Sequence, residues 1–149
     1  MDSLYSDLVL QHKREPQNFG SLPEHTHTSE GINALCGDRL RVEVDYRDDN
    51  VHALRFNGES CAIAIASASI MSEMVRGKDR RTIEKLAGRF ALYMEGDRDD
   101  EATLGDLRAF EPLRLHFARR KCALLPWATL RAALIGAVVA TTEQAGLHE

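Results

Sequence analysis

Three cysteines lie far apart in this chain of 149 residues, and no two of them are close enough in sequence to share a loop. They are Cys36, Cys61 and Cys122, and Asp38 follows the first of them after a single glycine. Three thiolates and a carboxylate are enough for a tetrahedral zinc site, and thiolates also suit iron–sulfur chemistry. Because each cysteine comes from a different stretch of sequence, only the tertiary fold can assemble them into one site.

The composition is that of an ordinary globular protein. The chain has the length of one domain, 44% hydrophobic and 28% charged residues, and we predict a single domain over residues 1–149. A formal net charge of −4 predicts neither nucleic acid nor an acidic membrane surface as a partner. The N-terminus has no apolar leader, and the apolar run at 132–140 is too short to cross a bilayer. With an odd number of cysteines, these features predict a cytoplasmic protein with free thiols.

The periodicity predicts an α+β fold, with a small antiparallel sheet of about three strands packed against several helices. Apolar residues alternate along 39–46 and 51–57, which indicates a hairpin, and a third strand at 27–33 is more weakly indicated. Helical spacing predicts helices at 2–13, 62–74 and 82–94, with an exposed acidic loop at 95–101. A short helical piece is expected after Pro112. Because proline favours the first helical turn, the last helix is predicted from about 125 to 144.

Each cysteine has local chemistry that favours a thiolate. Gly37 allows the backbone to turn so that Cys36 and Asp38 face one point. Cys61 is predicted at the start of a helix, where the helix dipole stabilises a thiolate. Cys122 is predicted just before another helix start, and the cations of Arg119, Arg120 and Lys121 would lower its pKa.

Simpler interpretations are open for each residue taken alone. A buried cysteine often acts only as a small apolar side chain, and Asp38 can be a turn residue. The basic residues 119–121 can form a solvated helix face. His25 and His27 share a loop, either as a weak metal site or as exposed polar residues, and Trp127 is expected in the core.

Taken together and in order, the cysteine contexts resemble the three signature blocks of the IscU/SufU/NifU-N family of iron–sulfur cluster assembly proteins. These contexts are Cys36-Gly37-Asp38, the Gly58 to Ser69 stretch around Cys61, and the Arg119 to Trp127 stretch around Cys122. The N-terminal Leu4-Tyr5, His12 and residues 16–20 also resemble the family's first helix and loop. The resemblance covers nearly the whole chain and implies a SufE/NifU-like fold.

Within that family the chain is most similar to the SufU branch. Lys121 precedes the third cysteine where the scaffold branch has histidine, and Arg119-Arg120-Lys121-Cys122 matches the SufU pattern. No Leu-Pro-Pro-Val-Lys motif is present, and the stretch at about 95–111 resembles the SufU insertion. One departure is Ala34-Leu35 in place of the family's usual Pro-x before Cys36, although Asn33 is retained.

The resemblance implies a zinc-dependent sulfurtransferase that accepts persulfide sulfur from a SufS-like, pyridoxal-phosphate-dependent cysteine desulfurase. Transferred residue by residue, it implies Cys36, Asp38, Cys61 and Cys122 as zinc ligands, with Cys36 as sulfur acceptor and Arg119 as a supporting residue. Downstream iron–sulfur assembly proteins would be further partners. Two alternatives are open: an IscU-type scaffold that binds a transient iron–sulfur cluster with the same ligands, and an adaptor in which the metal only supports folding.

Overall fold

The computed structural model describes residues 6–97 and 101–142. These residues form five α-helices, four strands and one long 3₁₀ segment. In chain order they are α1 (Asp7–Arg14), β1 (His27–Asn33), β2 (Asp38–Arg47), β3 (Asn50–Glu59), α2 (Ala62–Met74), α3 (Arg80–Met94), α4 (Glu101–Leu104), the 3₁₀ segment (Gly105–Leu115), α5 (Phe117–Leu134) and β4 (Val139–Thr141).

The sheet has the strand order β3-β2-β1-β4. Neighbouring strands among the first three are antiparallel, and β4 pairs parallel to β1. The hairpin between β2 and β3 turns at Asp48 and Asp49, which both have positive φ (55° and 60°), as a two-residue hairpin turn that matches the strand twist requires. This confirms the predicted α+β fold and the hairpin, and it also confirms the weakly indicated strand at 27–33. The sheet differs from the predicted antiparallel sheet of about three strands in having a fourth, parallel strand.

One face of the sheet carries the core, and α5 lies against it. Leu40, Val42 and Val44 of β2 are fully buried on this face. A side chain at Gly31 of β1 would collide with the Thr129 hydroxyl of α5, so glycine is what allows this helix to lie close to the strand.

Helix α2 is the central helix, since it packs against both α1 and α5. Most of its residues are buried, and alanine and serine dominate them, which allows the neighbouring helices to approach closely. The predicted helices at 62–74 and 82–94 are therefore present, the second starting slightly earlier, at Arg80 after the capping residue Asp79. The N-terminal helix covers Asp7–Arg14 rather than 2–13, and residues 2–5 of that prediction lie outside the described residues.

The last helix differs from the prediction. It begins at Phe117 instead of near Leu125, and it ends at Leu134 instead of near Gln144. Pro126 therefore lies inside the helix, where its ring displaces a backbone hydrogen bond. The Ser67 hydroxyl of α2 donates to the carbonyl of Ala123 in the preceding turn (2.6 Å), so a neighbouring helix satisfies a backbone acceptor there.

The segments on either side of this helix also differ from the prediction. Gly136, with φ +83°, follows the end of α5, and the apolar run then forms β4 instead of continuing the helix. Residues 95–97 are exposed, as predicted for the acidic loop, but helix α4 begins at Glu101. The following 3₁₀ segment, which includes Pro112, contributes buried side chains to the core (Leu107, Phe110 and Leu113). The structure thus corrects the prediction of a short helical piece after Pro112.

An aromatic cluster joins these later elements. The ring of Phe90 in α3 lies 6.1 Å from that of Phe110 and 6.0 Å from that of Trp127, which is buried as expected. No helix within the described ranges is both long enough and apolar enough to cross a membrane.

Candidate metal centre

The loop between β1 and β2 presents Cys36 at one end of the sheet. Residues 34–37 form a turn, and the Cys36 N–H donates to the carbonyl of Asn33 (3.3 Å). Gly37 adopts φ +74°, a left-handed conformation that favours glycine, and Asp38 then starts β2. Cys36 is half-buried, whereas the Asp38 side chain is buried, so both residues face inward but only the thiol is partly open to solvent.

Cys61 lies opposite this loop, at the N-terminus of α2. It is the capping residue of the helix, as the sequence predicted, and its backbone N–H donates to Asp38 Oδ1 (2.8 Å). Its sulfur lies 3.9 Å from Asp38 Oδ2. The Asp38 carboxylate thus connects the start of the first helix after the sheet to the start of β2.

Cys122 approaches from the third side. It is fully buried in α5, and its sulfur lies 3.2 Å from the Cys36 sulfur. Both sulfurs are near the carbonyl oxygen of Ala118, at 3.7 Å from Cys122 and 3.9 Å from Cys36. The position of Cys122 within a helix corrects the prediction that it precedes a helix start.

These side chains form a donor set suited to a soft metal. Among the described residues, ligand atoms of Cys36, Asp38 and Cys122 all lie within 4.8 Å of one another. Cys61 is outside that tight group, but its sulfur is near the same Asp38 carboxylate. Thiolates and a carboxylate at this spacing fit zinc, and the thiolates also fit iron–sulfur chemistry.

The pKa values of the Cys61 and Cys122 thiols are shifted in opposite directions. Hydrogen bonding from Cys122 lowers the pKa of Cys61 to about 7, with help from backbone N–H groups at the start of α2. The same hydrogen bond, followed by burial, raises the pKa of Cys122 far above that of a free thiol. In the metal-free site, the Cys61 pKa is therefore below that of an ordinary thiol, and the Cys122 pKa is above it.

This result separates two predictions about thiol chemistry. The Cys61 pKa is lowered, as expected for the N-terminus of α2, but the largest cause is hydrogen bonding from Cys122, and the backbone N–H groups of the helix contribute less. The expected lowering of the Cys122 pKa by Arg119, Arg120 and Lys121 is wrong, because the neighbouring thiol and burial outweigh these cations. Arg120 instead donates to the carbonyl oxygens of Met94 and Arg114 (3.4 and 3.3 Å), away from the sulfur.

A buried amide, which the sequence patterns did not indicate as part of the site, lies beside the donor set. Asn33 Nδ2 lies 3.3 Å from Asp38 Oδ2 and 3.5 Å from the Cys122 sulfur. Its Oδ1 accepts a hydrogen bond from the Thr142 hydroxyl (3.1 Å), which fixes the direction of the amide. Asn33 pairs with Asp38 across the β1–β2 hairpin, and this pairing is the feature that could have indicated the contact.

The remaining candidate residues lie outside this cluster. Arg119 is on α5, one turn before Cys122 and partly buried, and its role in the site is still a prediction. His25 Nδ1 lies 2.6 Å from the carbonyl oxygen of Leu22, and His27 Nδ1 lies 2.7 Å from the Thr26 hydroxyl. In the part of the chain that the structure describes, these histidines join no group of metal ligands.

Comparison with known families gives the context for this geometry. Residues 4–135 match the family described as the NifU-like N terminal domain. The chain belongs to the NifU-like N-terminal domain family. The sequence resemblance is thereby confirmed, and the family places the chain among iron–sulfur cluster assembly proteins.

Two curated relatives of this NifU-like protein carry different functional names. It is 36% identical over 131 residues to the zinc-dependent sulfurtransferase SufU of Bacillus subtilis, covering 87% of this chain and 88% of the relative. It is 31% identical over 131 residues to the iron–sulfur cluster assembly scaffold protein IscU of Thermotoga maritima, covering 88% and 92%. The relatives therefore support the family but leave both functional alternatives open.

A solved structure agrees with the fold of the NifU-like domain. The candidate SUF-system iron–sulfur cluster assembly scaffold protein of Fervidobacterium islandicum, FiSufU, superposes with a TM-score of 0.84 at 30% identity. The match covers 88% of this chain and 96% of that one. A NifU-like N-terminal protein from Brucella abortus shares the fold, with a TM-score of 0.81 at 24% identity.

Proposed function

We propose that this protein is a zinc-dependent sulfur acceptor that takes persulfide sulfur from a cysteine desulfurase. The observation that carries the proposal is the unequal exposure of the donor set. Cys36 is half-buried on a glycine turn, whereas Cys122 is fully buried within a helix and Asp38 is buried at a strand start. Cys61 is half-buried as well, but it caps α2 and its N–H is bound to Asp38, so Cys36 is the thiol that is both accessible and on a loop.

Zinc would be held by Cys36, Asp38, Cys61 and Cys122, and it would keep the thiols deprotonated as ligands. The side-chain amide of Asn33 and the backbone N–H of Cys61 donate hydrogen bonds to the Asp38 carboxylate and orient it. Neither of these N–H groups is among the atoms that would bind zinc. Such outer contacts fix the direction of a ligand and tune its basicity. Arg119, one helical turn before Cys122, is proposed to stabilise negative charge near the sulfurs.

The transfer itself is a thiol–persulfide exchange. The Cys36 thiolate attacks the terminal sulfur of the desulfurase persulfide, forming a new sulfur–sulfur bond while the persulfide bond breaks. The hydrogen stays on the transferred sulfur, and the desulfurase cysteine leaves as a thiolate. The number of electrons is unchanged, so the step needs no oxidant or reductant.

The rim of the site has the chemistry of a docking surface. Leu35, Leu115 and Phe117 are exposed by 60%, 94% and 61%, although all three are apolar. The cations of Lys121 and Arg120 lie 4.8 and 5.4 Å from the centre of the Phe117 ring. Exposed apolar side chains next to a reactive group indicate a protein partner, and we propose that the desulfurase docks here.

The central experiment compares the wild type with Cys36→Ser in the presence of a cysteine desulfurase and free cysteine. We expect persulfide on Cys36 in the wild type, and neither persulfidation nor stimulation of the desulfurase with the variant. Circular dichroism checks that the variant is folded. Persulfide found on Cys61 or Cys122 of the variant at the wild-type yield would contradict the assignment of Cys36.

The docking surface is tested with a matched pair of exposed apolar residues on α5. Phe117 begins the helix, and Ile135, exposed by 64%, follows its end about 27 Å away at the usual helical rise. We expect Phe117→Ser to raise the concentration needed for half-maximal desulfurase stimulation about 10-fold, as loss of a central interface residue does. Ile135→Ser should leave it unchanged, and equal effects of both variants would move the docking surface elsewhere.

A scaffold that binds an iron–sulfur cluster is the second candidate. The three cysteines would serve equally as cluster ligands, and relatives named IscU share the family. Against it, Lys121 takes the position before Cys122, and its amine lies over the Phe117 ring, where it offers no ligand to the site. Zinc, iron and sulfide analysis of protein purified without oxygen separates the candidates: one zinc per chain supports sulfur transfer, and iron with matching sulfide supports the scaffold.

A further inference from the structure

Cys36 and Cys122 form a close sulfur pair. Their sulfurs are 3.2 Å apart, whereas a disulfide bond is about 2.05 Å long. The sulfurs therefore need to approach each other by roughly 1 Å. The loop of Cys36 is open on the Gly37 side, where an added side chain would meet no atom within 4 Å.

The two thiols differ in access in the way that a peroxide-sensitive pair requires. Cys36 is half-buried and within reach of a small oxidant, whereas Cys122 is fully buried beside it. An accessible cysteine that is oxidised first, next to a second thiol that resolves it, is the usual arrangement of reversible thiol oxidation.

Cys61 is also half-buried, but it is held in a different way. Its backbone N–H is bound to Asp38 at 2.8 Å, and its residue caps α2, so its position is fixed by the helix and the sheet together. Its sulfur faces the Asp38 carboxylate at 3.9 Å. The loop of Cys36 is thus the more easily moved partner for Cys122.

We propose that Cys36 and Cys122 form a reversible intramolecular disulfide when peroxide reaches the site. Peroxide first converts the Cys36 thiol to a sulfenic acid, with release of one water. The Cys122 sulfur then attacks the sulfenic sulfur, its proton leaves with the hydroxyl as a second water, and the disulfide forms. Two electrons pass from the two thiols to one peroxide, and a dithiol reductant returns them.

The disulfide would act on metal binding and on sulfur transfer at once. It removes two of the proposed ligands and leaves only Asp38 and Cys61, which is too small a set for a closed zinc site. It also consumes the proposed sulfur acceptor. This consequence rests on the proposed function, whereas formation of the disulfide does not.

The test treats the full-length protein with hydrogen peroxide, with and without a zinc chelator, and then alkylates the remaining thiols. The three cysteines fall on separate tryptic peptides, because Arg39, Arg55, Arg76 and Lys121 separate them. We expect the Cys36 and Cys122 peptides to be joined within one chain, Cys61 to be alkylated, and a dithiol to reverse the link. A link that includes Cys61, a link between chains, or oxidation of Cys36 beyond sulfenic acid without a link would overturn the proposal.

Two variants test the disulfide independently, so that one test remains if the other variant folds poorly. Cys61→Ser should still form the link, and Cys122→Ser should stop at a Cys36 sulfenic acid that dimedone traps. Absence of the dimedone adduct in a folded Cys122→Ser protein contradicts the order of oxidation. The wild-type peptide map needs neither variant.

Separate readouts distinguish failure of this inference from failure of the proposed function. The peptide map requires no desulfurase, so a disulfide in a protein that is never persulfidated would overturn the proposed function alone. For zinc-loaded protein, we expect zinc release, followed with a coloured chelator, to rise in step with the disulfide. Zinc release from wild-type protein that contains no disulfide would contradict the coupling between them.

Discussion

The candidate site has a loop side and a helix side, and the two are constrained very differently. On the loop side, Cys36 lies on a turn at residues 34–37, half-buried, with open space around Gly37. On the helix side, Cys122 is fully buried in the middle of α5, and Cys61 caps α2 with its N–H bound to Asp38.

The difference indicates how one site can both hold a metal and react. Residues in packed helices keep their positions because moving them disturbs the core. A loop residue with few neighbours can change position at small cost. We therefore assign binding mainly to the helix side, and reaction with a partner to Cys36 on the loop side.

The largest expected effect comes from disturbing the strand that leads to the helix side. Gly58 has φ +132°, and an added side chain would collide with the carbonyl oxygen of Arg39 on the neighbouring strand. We expect Gly58→Ala to lower the free energy of unfolding by about 3 kcal/mol, because backbone strain adds to overpacking. Urea unfolding followed by circular dichroism measures this change.

Two other glycines serve as controls for that measurement. Gly37 has φ +74° but open space, so Gly37→Ala should lower the free energy of unfolding by only about 1 kcal/mol. Gly88 lies inside α3 with nothing near its missing side chain, so Gly88→Ala should raise it by up to about 1 kcal/mol. If Gly58→Ala and Gly37→Ala lowered the free energy of unfolding equally, the loop side and the helix side would not differ in how tightly they are constrained.

The amide that touches both sides is the next test. Asn33 contacts Asp38 on the loop side and Cys122 on the helix side. We expect Asn33→Ala to weaken zinc binding about 10- to 100-fold, as loss of an outer contact to a ligand does. Competition with a zinc chelator measures this affinity. Asn57→Ala removes a similar amide, bound to the Gly20 carbonyl at 2.9 Å, and should leave zinc affinity unchanged.

The smallest effect concerns the thiols themselves. In metal-free protein, Cys61 has a pKa lowered to about 7 by hydrogen bonding from Cys122, so it is a thiolate above that pH and a thiol below it. We expect alkylation of Cys61 by iodoacetamide to rise with pH through a midpoint of about 7, with Cys122 unreactive over the same range. Mass spectrometry of the tryptic peptides follows each cysteine.

The control for this pH dependence removes the donor. In Cys122→Ala, the main cause of the lowered pKa is lost, and the midpoint for Cys61 should move up toward that of an ordinary thiol. An unchanged midpoint in that variant would mean that the start of α2, rather than Cys122, stabilises the thiolate.

Local sequence patterns predicted the elements that carry the loop side and the start of α2 on the helix side. Alternating apolar residues predicted the hairpin, Gly37 predicted the turn before Asp38, and the switch from strand to helix predicted Cys61 at a helix start. These features depend on residues close together in the sequence. The cysteine contexts also identified the family, because the donor residues and their flanking sequences are themselves the family's signature.

Only the tertiary structure decided the helix side and the distances within the site. Pro126 misled the prediction of α5, because packing against β1 and α2 stabilises a helix that continues through the proline. The run after α5 looked helical by itself, but pairing with β1 made it β4. The 3.2 Å separation of Cys36 and Cys122 joins residues 86 positions apart, and the contact of Asn33 with Cys122 spans 89. The sequence thus determined which donors are available, whereas long-range packing decided which of them meet and which of them are buried.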